Sequence, residues 1–269
     1  MTLPDLTTVH TAAGPLSCRE TGQGPALVLL HGLNFGSACW RAQYAHFGRD
    51  FRVIGWDAPG YGGSAPPSGA APVAGDFADA LAALLDALGV ETCNLVGHSM
   101  GGLVAAAFCR RHPGRAHTVT FSHAADGLGA QPAEAQAAYV AERWGRYERL
   151  GAAALGEQTL ADMVSPSAPG FAREEIGALL AELPAAGYRA GLSVLARSHL
   201  FAELPPLAAP VLVLTGDDDT RVDPTVARSL AAALAGAQLM VQVGVGHVSF
   251  LEDPEQYNEC LRVFLQETG

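Results

Sequence analysis

Five continuous apolar runs recur along the chain, separated by segments with a different spacing of apolar residues. They read "PALVLLHG", "FRVIGWDAPG", "CNLVGHS", "HTVTFSHA" and "PVLVLTGDDD". Such runs are typical of strands that are buried on both faces, as in a parallel sheet. The segments between them have helical spacing, for example "DFADALAALLDALG" and "GLVAAAFCRRHPG". Strand and helix therefore alternate, which predicts an α/β fold with a doubly wound sheet.

Two regions depart from this alternation. The opening "TTVHTAAGPLSCRETG" predicts a hairpin that turns at "AAGP" and adds antiparallel edge strands. From about Ala125 to Pro205 the pattern is helical throughout, with the breaker cluster "SPSAPG" inside it. The strand pattern resumes at "APVLVLTG", so this stretch is an insertion over one edge of a continuing sheet. We therefore predict one core built from residues 1–124 and 205–269, interrupted by a helical insertion of residues 125–204.

Composition narrows the class of protein. The 269 residues are 49% hydrophobic, and no apolar stretch approaches the roughly 20 residues that cross a bilayer. The first residues lack the basic and apolar regions of a secretory signal, so we expect a soluble, cytoplasmic protein with no membrane partner. A net charge of −11 argues against a nucleic-acid partner, because phosphate binding relies on clustered Lys and Arg. The oligomeric state is not specified, and a homo-oligomer stays open.

The usual signatures of bound metals and cofactors are missing from the sequence. Its five cysteines are odd in number and scattered, which fits neither a disulfide framework nor closely spaced metal ligands. It contains no H-E-x-x-H pattern and no Cys/His cluster. It also lacks the phosphate-binding pattern G-x-x-x-x-G-K-[ST], and no G-x-G-x-x-G opens a helix after the first core strand. We therefore expect no cofactor and no metal.

The stretch "NLVGHSMGG" sets one serine between a predicted strand and a predicted helix. In an open parallel sheet, ligands bind beyond the carboxyl ends of the strands, which is where Ser99 falls. A G-x-S-x-G turn, here Gly97 to Gly101, holds its serine in a strained conformation that exposes the hydroxyl. The same turn aims the backbone N–H of Met100 at a reacting carbonyl. We predict Ser99 as a nucleophile and Met100 as one oxyanion donor.

A second oxyanion donor is expected from the loop after the first core strand. In that loop His31 and Gly32 lead into Leu33, and the glycine lets the backbone come close to a bound substrate. We predict the backbone N–H of Leu33 as this second donor.

A serine hydroxyl needs a base to take its proton, and the base needs an orienting carboxylate. His247, within "LMVQVGVGHVSFLEDP" after the last strand, is the predicted base. Asp219, in "TGDDDTRVDP" after the preceding strand, is the predicted acid. Asp126 is the alternative acid, because the strand "HTVTFSHA" before it also ends on the active face. Asp223 is predicted to begin the following helix instead.

The blocks "HGLN", "WDAPGYGGS", "GHSMGG", "GDDDTRVDP" and "GVGHVSFLEDPEQYN" occur in this order across almost the whole chain, and together they resemble the α/β-hydrolase superfamily. The resemblance implies an α/β-hydrolase fold, with a mostly parallel, doubly wound sheet of eight strands and the insertion as a helical cap. It implies Ser99, Asp219 and His247 as a catalytic triad, and Leu33 and Met100 as oxyanion donors. The segments "EDPEQYNECLRVFL" and "LPAAGYRAGLSVLARSHLFAELPPL" look most like the 3-oxoadipate enol-lactonase and small esterase branch.

These features predict an enzyme, a serine hydrolase that cleaves a small-molecule ester or lactone through an acyl-enzyme. Other chemistries stay open, because a C–C bond hydrolase or a cofactorless lyase can use the same scaffold. A ligand-binding receptor or pseudo-enzyme is an alternative of another class. The natural substrate depends on pocket shape, which residue spacing does not reveal.

Several side chains outside the triad are candidates for substrate recognition. His123 ends a strand on the active face and His199 lies near the end of the insertion, so both can contact substrate. Four arginines of the predicted insertion helices can pair with a substrate carboxylate, although solvated charges are the commoner arrangement. These four are Arg143, Arg146, Arg189 and Arg197.

Overall fold

The computed structural model describes residues 2–268, and its centre is an eight-stranded sheet. In chain order the strands are β1 (Leu6–Thr11), β2 (Gly14–Thr21), β3 (Ala26–Leu30), β4 (Arg52–Trp56), β5 (Cys93–His98), β6 (Ala116–Ser122), β7 (Val211–Gly216) and β8 (Gln238–Gln242). Their spatial order is β1-β2-β4-β3-β5-β6-β7-β8. The pairs β1/β2 and β2/β4 are antiparallel, and all the other pairs are parallel.

The strand order changes direction between β3 and β5. From β3 the chain continues to β4 on one side, whereas from β5 it proceeds through β6, β7 and β8 on the other side. The loops that leave β3 and β5 therefore diverge and border a crevice at the carboxyl edge of the sheet. Open α/β sheets bind their ligands in crevices of this kind.

Helices cover both faces of the sheet, and more helices lie in the insertion. They are α1 (Arg41–Phe47, after a short 3₁₀ turn, Ser37–Trp40), α2 (Ala74–Ala87), α3 (Met100–Arg111), α4 (Ala133–Met163), α5 (Gly170–Ala181), α6 (Ala185–Arg197), α7 (Leu200–Glu203), α8 (Pro224–Ala233), α9 (Ser249–Glu252) and α10 (Pro254–Thr268).

The continuous apolar runs are explained by burial of both faces of the central strands. In β3, Val28 and Leu30 belong to the core layer that includes α2 and α3, while Leu27 and Leu29 belong to the layer that includes α1 and α10. All four side chains are fully buried. Since neither face meets water, no polar alternation is needed along these strands, as the sequence predicts.

The insertion between β6 and β7 is helical. Its first helix, α4, is interrupted at Gly151, whose φ of 73° and ψ of 172° are not helical, so α4 consists of two helical parts on either side of this residue. Tyr147 of α4 stacks between Trp144 and Tyr188, with ring centroids 5.3 Å apart in both pairs. This stack holds α4 against α6.

A buried carboxylate connects the insertion to the loop before α9. Glu252 accepts hydrogen bonds from the backbone N–H of Ser165, which follows α4, and from that of Gly246, both at 3.1 Å. The side chain is buried, so these bonds form away from competing water. The loop carrying residues 243–248 is therefore fixed partly by the insertion.

The predicted fold is confirmed: a mostly parallel eight-stranded sheet, an antiparallel hairpin at residues 6–21 and a helical insertion, α4–α6. The limits that the sequence suggests for the insertion, 125 and 204, stay a prediction. Among residues 2–268, no helix has both the length and the apolarity that a membrane crossing requires.

Candidate active site

Ser99 lies in a sharp turn between β5 and α3. Its backbone has a φ of 53° and a ψ of −114°, a region that residues other than glycine rarely adopt. Its N–H donates to the carbonyl of Ser122 at 3.0 Å, and its own carbonyl accepts from the N–H of Gly102 at 2.9 Å. The hydrogen bonds on both sides hold the turn in its strained form.

Two glycines let this turn pack closely, as the G-x-S-x-G pattern predicts. A Cβ atom on Gly97 would overlap the carbonyl oxygen of Gly101 in α3. A Cβ atom on Gly101 would overlap the carbonyl oxygen of Leu30 in β3. Because these neighbours are backbone atoms, they cannot move aside as a flexible side chain would.

The structure brings together the three predicted side chains. His247 Nε2 lies 3.0 Å from Ser99 Oγ, and His247 Nδ1 lies 2.9 Å from Asp219 Oδ2. An ionised carboxylate only accepts hydrogen bonds, so Nδ1 carries the proton and Nε2 accepts from the serine hydroxyl. All three residues are buried. This arrangement can draw a proton from Ser99 and stabilise the imidazolium that results.

Asp219 accepts four hydrogen bonds. Its Oδ1 accepts from the backbone N–H groups of Arg221 and Val222, each at 2.9 Å. Its Oδ2 accepts from His247 and from a second imidazole, His123 Nδ1, at 2.8 Å. Burial alone would raise the pKa of Asp219, but the two histidines and their hydrogen bonds lower it well below its usual range. The carboxylate is therefore held ionised and in one orientation.

His123 lies behind Asp219 and is not among the residues that line the cavity described below, and its contact with substrate stays a prediction. Its Nε2 accepts from the hydroxyl of Ser249 at 2.8 Å, while its Nδ1–H donates to Asp219. Its backbone φ of 48° is again positive. One indication in the sequence that His123 lies near Asp219 was its position at the end of β6. In the structure this strand lies beside β7, the strand that leads to Asp219.

Burial lowers the pKa of three histidines in and around the site. Burial lowers the pKa of His247, and the neighbouring Asp219 opposes this effect. Burial also lowers the pKa of His98 well below its ordinary value, and it lowers the pKa of His31. His98 uses its Nε2–H to donate to the carbonyl of His247 at 2.9 Å, which fixes the loop that carries the predicted base.

The two predicted oxyanion donors flank Ser99. The Gly32 backbone lies so close to His98 and Ser99 that a Cβ atom there would be 3.1 Å from the Cβ of Ser99. The next residue, Leu33, is held by its carbonyl, which accepts from Tyr61 Oη at 2.7 Å. Met100 is the first residue of α3, where backbone N–H groups have no partner within the helix. The role of these two N–H groups as oxyanion donors stays a prediction.

A cavity of about 560 Å³ opens in front of Ser99 and His247. The loops after β3, β6 and β7 form its sides, and the insertion covers it. Its wall includes the apolar residues Leu33, Phe35, Leu128, Met163, Leu195, Val222 and Val226. Charged groups also line it, namely Asp126, Arg143, Asp162, Arg221 and Asp223.

The remaining sequence candidates have other roles. Asp126 lies in the cavity wall, where its carboxylate is 3.3 Å from His199 Nε2, and His247 pairs with Asp219 instead. Asp223 caps α8 by accepting from the N–H of Thr225, as predicted. Of the four candidate arginines of the insertion, only Arg143 lines the cavity. Arg221 also lines it, and sequence reasoning missed this residue because it lies outside the insertion.

Within residues 2–268, one group of three potential metal ligands lies close together, namely His123, Asp219 and His247. Both imidazole Nδ1 atoms lie at hydrogen-bond distance, 2.8 and 2.9 Å, from the same carboxylate oxygen. Their Nε2 atoms are engaged by serine hydroxyls. Hydrogen bonding therefore accounts for every ligand atom of this group without a metal ion.

Comparison with known proteins gives a family and several relatives. Residues 25–254 match the family model described as alpha/beta hydrolase fold. A pimeloyl-[acyl-carrier protein] methyl ester esterase from Aeromonas hydrophila is 31% identical, and the match covers 93% of this chain and 99% of the relative.

Two solved structures show how far the likeness extends in space. A thermophilic esterase from Thermogutta terrifontis, solved with malate bound, has a TM-score of 0.88 and 27% identity, and the match covers 98% of this chain and 99% of the other. The enol-lactonase from Burkholderia xenovorans LB400 has a TM-score of 0.83 and 24% identity, with 97% of this chain and 100% of the other covered. The second likeness shows the shared fold alone.

Proposed function

The chain belongs to the alpha/beta hydrolase fold family, and we propose that it is a serine hydrolase that cleaves a small ester or lactone through an acyl-enzyme on Ser99. The observation that carries this proposal is the continuous set of contacts from Ser99 Oγ to His247 and on to Asp219, at 3.0 and 2.9 Å. Ser99 and His247 also line a cavity that is wide enough for a small molecule.

In the first half of the proposed reaction, Ser99 Oγ attacks the carbonyl carbon of the bound ester. His247 Nε2 takes the hydroxyl proton, and Asp219 stabilises the imidazolium through Nδ1–H. The negative charge that develops on the carbonyl oxygen is held by the N–H groups of Leu33 and Met100. Each such donor is worth about 3 to 4 kcal/mol in the transition state. The imidazolium then protonates the leaving alkoxide, and the acyl group stays on Ser99.

In the second half, water replaces the departed alcohol and His247 takes its proton. The hydroxide attacks the acyl carbon, the same two N–H groups hold the oxyanion, and Ser99 leaves with the proton returned by His247. A lactone reacts by the same steps, except that its alcohol stays attached to the acyl chain. The products are a carboxylic acid and an alcohol, or one hydroxy acid.

The relatives support the ester class of substrate. The relative from Aeromonas hydrophila is named for a methyl ester, and the structure from Thermogutta terrifontis is an esterase. The cavity volume of about 560 Å³ lies within the range of small-molecule sites, roughly 300 to 1,000 Å³. We therefore propose acyl groups of short to medium length as substrates.

The test is a panel of 4-nitrophenyl esters of graded chain length and of simple lactones, measured with wild type and Ser99→Ala. We expect turnover by wild type and a loss of at least about 10³-fold in kcat with Ser99→Ala, because the nucleophile is gone. Ser167→Ala is the matched control, since this exposed serine does not line the cavity. Equal slow rates in wild type and Ser99→Ala would instead indicate a binding protein, and carbon–carbon cleavage products would indicate another hydrolase or lyase chemistry.

A further inference from the structure

Two arginine side chains lie in the wall of the cavity that contains Ser99. Arg221 follows the predicted acid by two residues, and its backbone N–H is fixed to Asp219 Oδ1 at 2.9 Å. Arg143 comes from α4 in the insertion, where its guanidinium carbon lies 4.6 Å from the centre of the Tyr139 ring. The core and the insertion thus each contribute one guanidinium to the same cavity.

These two guanidinium groups lack an anionic partner in the part of the chain that the structure describes. The arginines that form ion pairs there are Arg41, Arg52, Arg110, Arg111, Arg115 and Arg262. Arg143 and Arg221 are both only partly exposed. Burial and the nearby charge of Arg143 lower the pKa of Arg221, as expected for two like charges in one partly desolvated space.

Among residues 2–268, none of the carboxylates of the cavity wall forms an ion pair with Arg143 or Arg221. Asp126 lies 3.3 Å from His199 Nε2. Asp223 caps α8 and is exposed. Asp162 is exposed and forms no ion pair with either arginine among residues 2–268, although its charge raises the pKa of Arg221 and so opposes the effect of burial. The acidic groups thus lie toward solvent or have another partner, while the cationic groups are partly enclosed.

We propose that Arg221 and Arg143 bind a carboxylate of the substrate, so that the ester or lactone cleaved at Ser99 is itself an anion. This inference rests on the function proposed above and names the substrate class for the same site. Guanidinium groups bind carboxylates through paired, charge-assisted hydrogen bonds, and partial burial strengthens such bonds. An anionic ligand also compensates the cost of holding two cations together in the cavity.

The substrate test uses three esters of equal length. Mono-4-nitrophenyl adipate carries a distal carboxylate, 4-nitrophenyl adipamate replaces it with a neutral amide, and 4-nitrophenyl hexanoate ends in a methyl group. We expect kcat/KM for the adipate ester to exceed that for both neutral esters by at least about tenfold in low salt, and the advantage to shrink as salt is added. Equal values for the adipate and adipamate esters would overturn the proposal.

Substitution of each arginine tests whether these two side chains cause the preference for the adipate ester. Arg221→Gln and Arg143→Gln should each lower the ratio of adipate to hexanoate kcat/KM by about 10- to 100-fold, which corresponds to one charge-assisted hydrogen-bonded pair. Reporting the ratio cancels any general loss of active enzyme. Arg221→Lys should restore part of the ratio, because the charge is kept and the paired geometry is lost. Arg149→Gln, on the exposed side of α4, is the matched control and should leave the ratio at its wild-type value.

A binding measurement separates failure of this inference from failure of the proposed function. Adipate itself, titrated calorimetrically into Ser99→Ala, should bind, and binding should be lost in Ser99→Ala combined with Arg221→Gln. If adipate binds in this way but wild type hydrolyses none of the esters, the anion site stands and the proposed hydrolase function fails. If the esters are hydrolysed without any preference for adipate, the hydrolase function stands and the anion site is refuted.

Discussion

Asp219 Oδ2 accepts from two imidazoles, His247 at 2.9 Å and His123 at 2.8 Å. A carboxylate oxygen has two lone pairs, so both bonds can form at once. However, each donor reduces the electron density that is left for the other donor. His123 thereby sets how strongly Asp219 supports a charged His247, although His123 itself does not line the cavity. We regard His123 as a positioning residue for the predicted acid.

Replacing His123 with alanine should change the pH dependence of activity. Alanine has no side-chain donor, so the hydrogen bonds of the imidazole to Asp219 and to Ser249 are both lost. With one competing donor removed, Asp219 favours the charged form of His247 more strongly, so the acid limb of the kcat/KM profile should move to higher pH. We expect kcat to fall about 3- to 10-fold from looser orientation, with KM within about twofold.

The pH profile is the measurement that distinguishes this role from a merely structural one. A variant that only lowers the amount of folded enzyme would reduce kcat at every pH and leave the acid limb in place. An unchanged acid limb in His123→Ala would therefore contradict the positioning role. His112, a histidine at the end of α3 that contacts Asp79, offers the control His112→Ala.

At the scale of elements, the turn between β5 and α3 depends on contacts between backbone atoms. The first turn of α3 passes directly over β3, where Gly101 faces the carbonyl oxygen of Leu30. Only glycine permits this approach, and the approach brings the first N–H groups of α3 toward the crevice at the switch point of the sheet. The glycine at position 101 of the serine turn is therefore the same residue that allows α3 to pack closely on β3.

Gly101→Ala should destabilise the protein by about 1 to 3 kcal/mol, because the added methyl group overpacks a backbone contact. It should also lower kcat, since α3 must shift relative to β3. Gly145→Ala is the matched control, because a Cβ atom there meets nothing within 4 Å and the residue lies inside α4. That change should stabilise the protein by about 0.5 to 1 kcal/mol. Urea unfolding checks both values, and equal stabilities for the two variants would contradict this explanation.

At the scale of the whole molecule, the site is assembled by two parts of the chain, the core and the insertion, which meet at one edge of the sheet. The core supplies Ser99, Asp219 and His247, and the insertion supplies Arg143 and most of the cover. Glu252 connects the two through Ser165 and Gly246. Burial of His31, His98 and His247 lowers the pKa of each imidazole, so the stability of the fold and the protonation of the site are linked.

The free energy of unfolding should therefore depend on pH around the ordinary pKa of histidine. Burial lowers the pKa of His31, His98 and His247 in the folded protein, so below about pH 6.5 the unfolded chain binds protons that the folded chain does not. Stability should be constant above about pH 7.5 and should fall as the pH decreases from there. Each histidine changes the free energy of unfolding by up to about 1.4 kcal/mol per pH unit, over the pH range between its pKa in the folded protein and its pKa in the unfolded chain.

Urea denaturation at pH 8, 7, 6 and 5 measures this slope. His10→Gln, which removes an exposed histidine, is the control and should keep the wild-type slope. His98→Gln should reduce the slope, because one of the three buried groups no longer titrates. Stability that rises as the pH falls through 6 would contradict the assignment of neutral, buried imidazoles.

The sequence by itself determined the order of strands and helices, the strained serine turn and the candidate base. These features follow from local rules: continuous apolar runs mark strands buried on both faces, and a turn that packs on backbone atoms requires glycine. The preference for Asp219 over Asp126 followed from the place of Asp219 directly after the strand that precedes the last strand, and the contacts of His247 agree with that preference. Most of the residues that line the cavity could not be predicted from these local rules.

Only the tertiary structure decided the partners of His123 and the position of Arg221 in the cavity wall. His123 is 96 residues from Asp219 along the chain, and the two meet because β6 and β7 are neighbours in the sheet. Arg221 and Arg143 share a cavity because the insertion folds back over the loop after β7. Local patterns specify which face of an element is buried, but the partner of a polar side chain depends on the packing of elements that are distant in sequence.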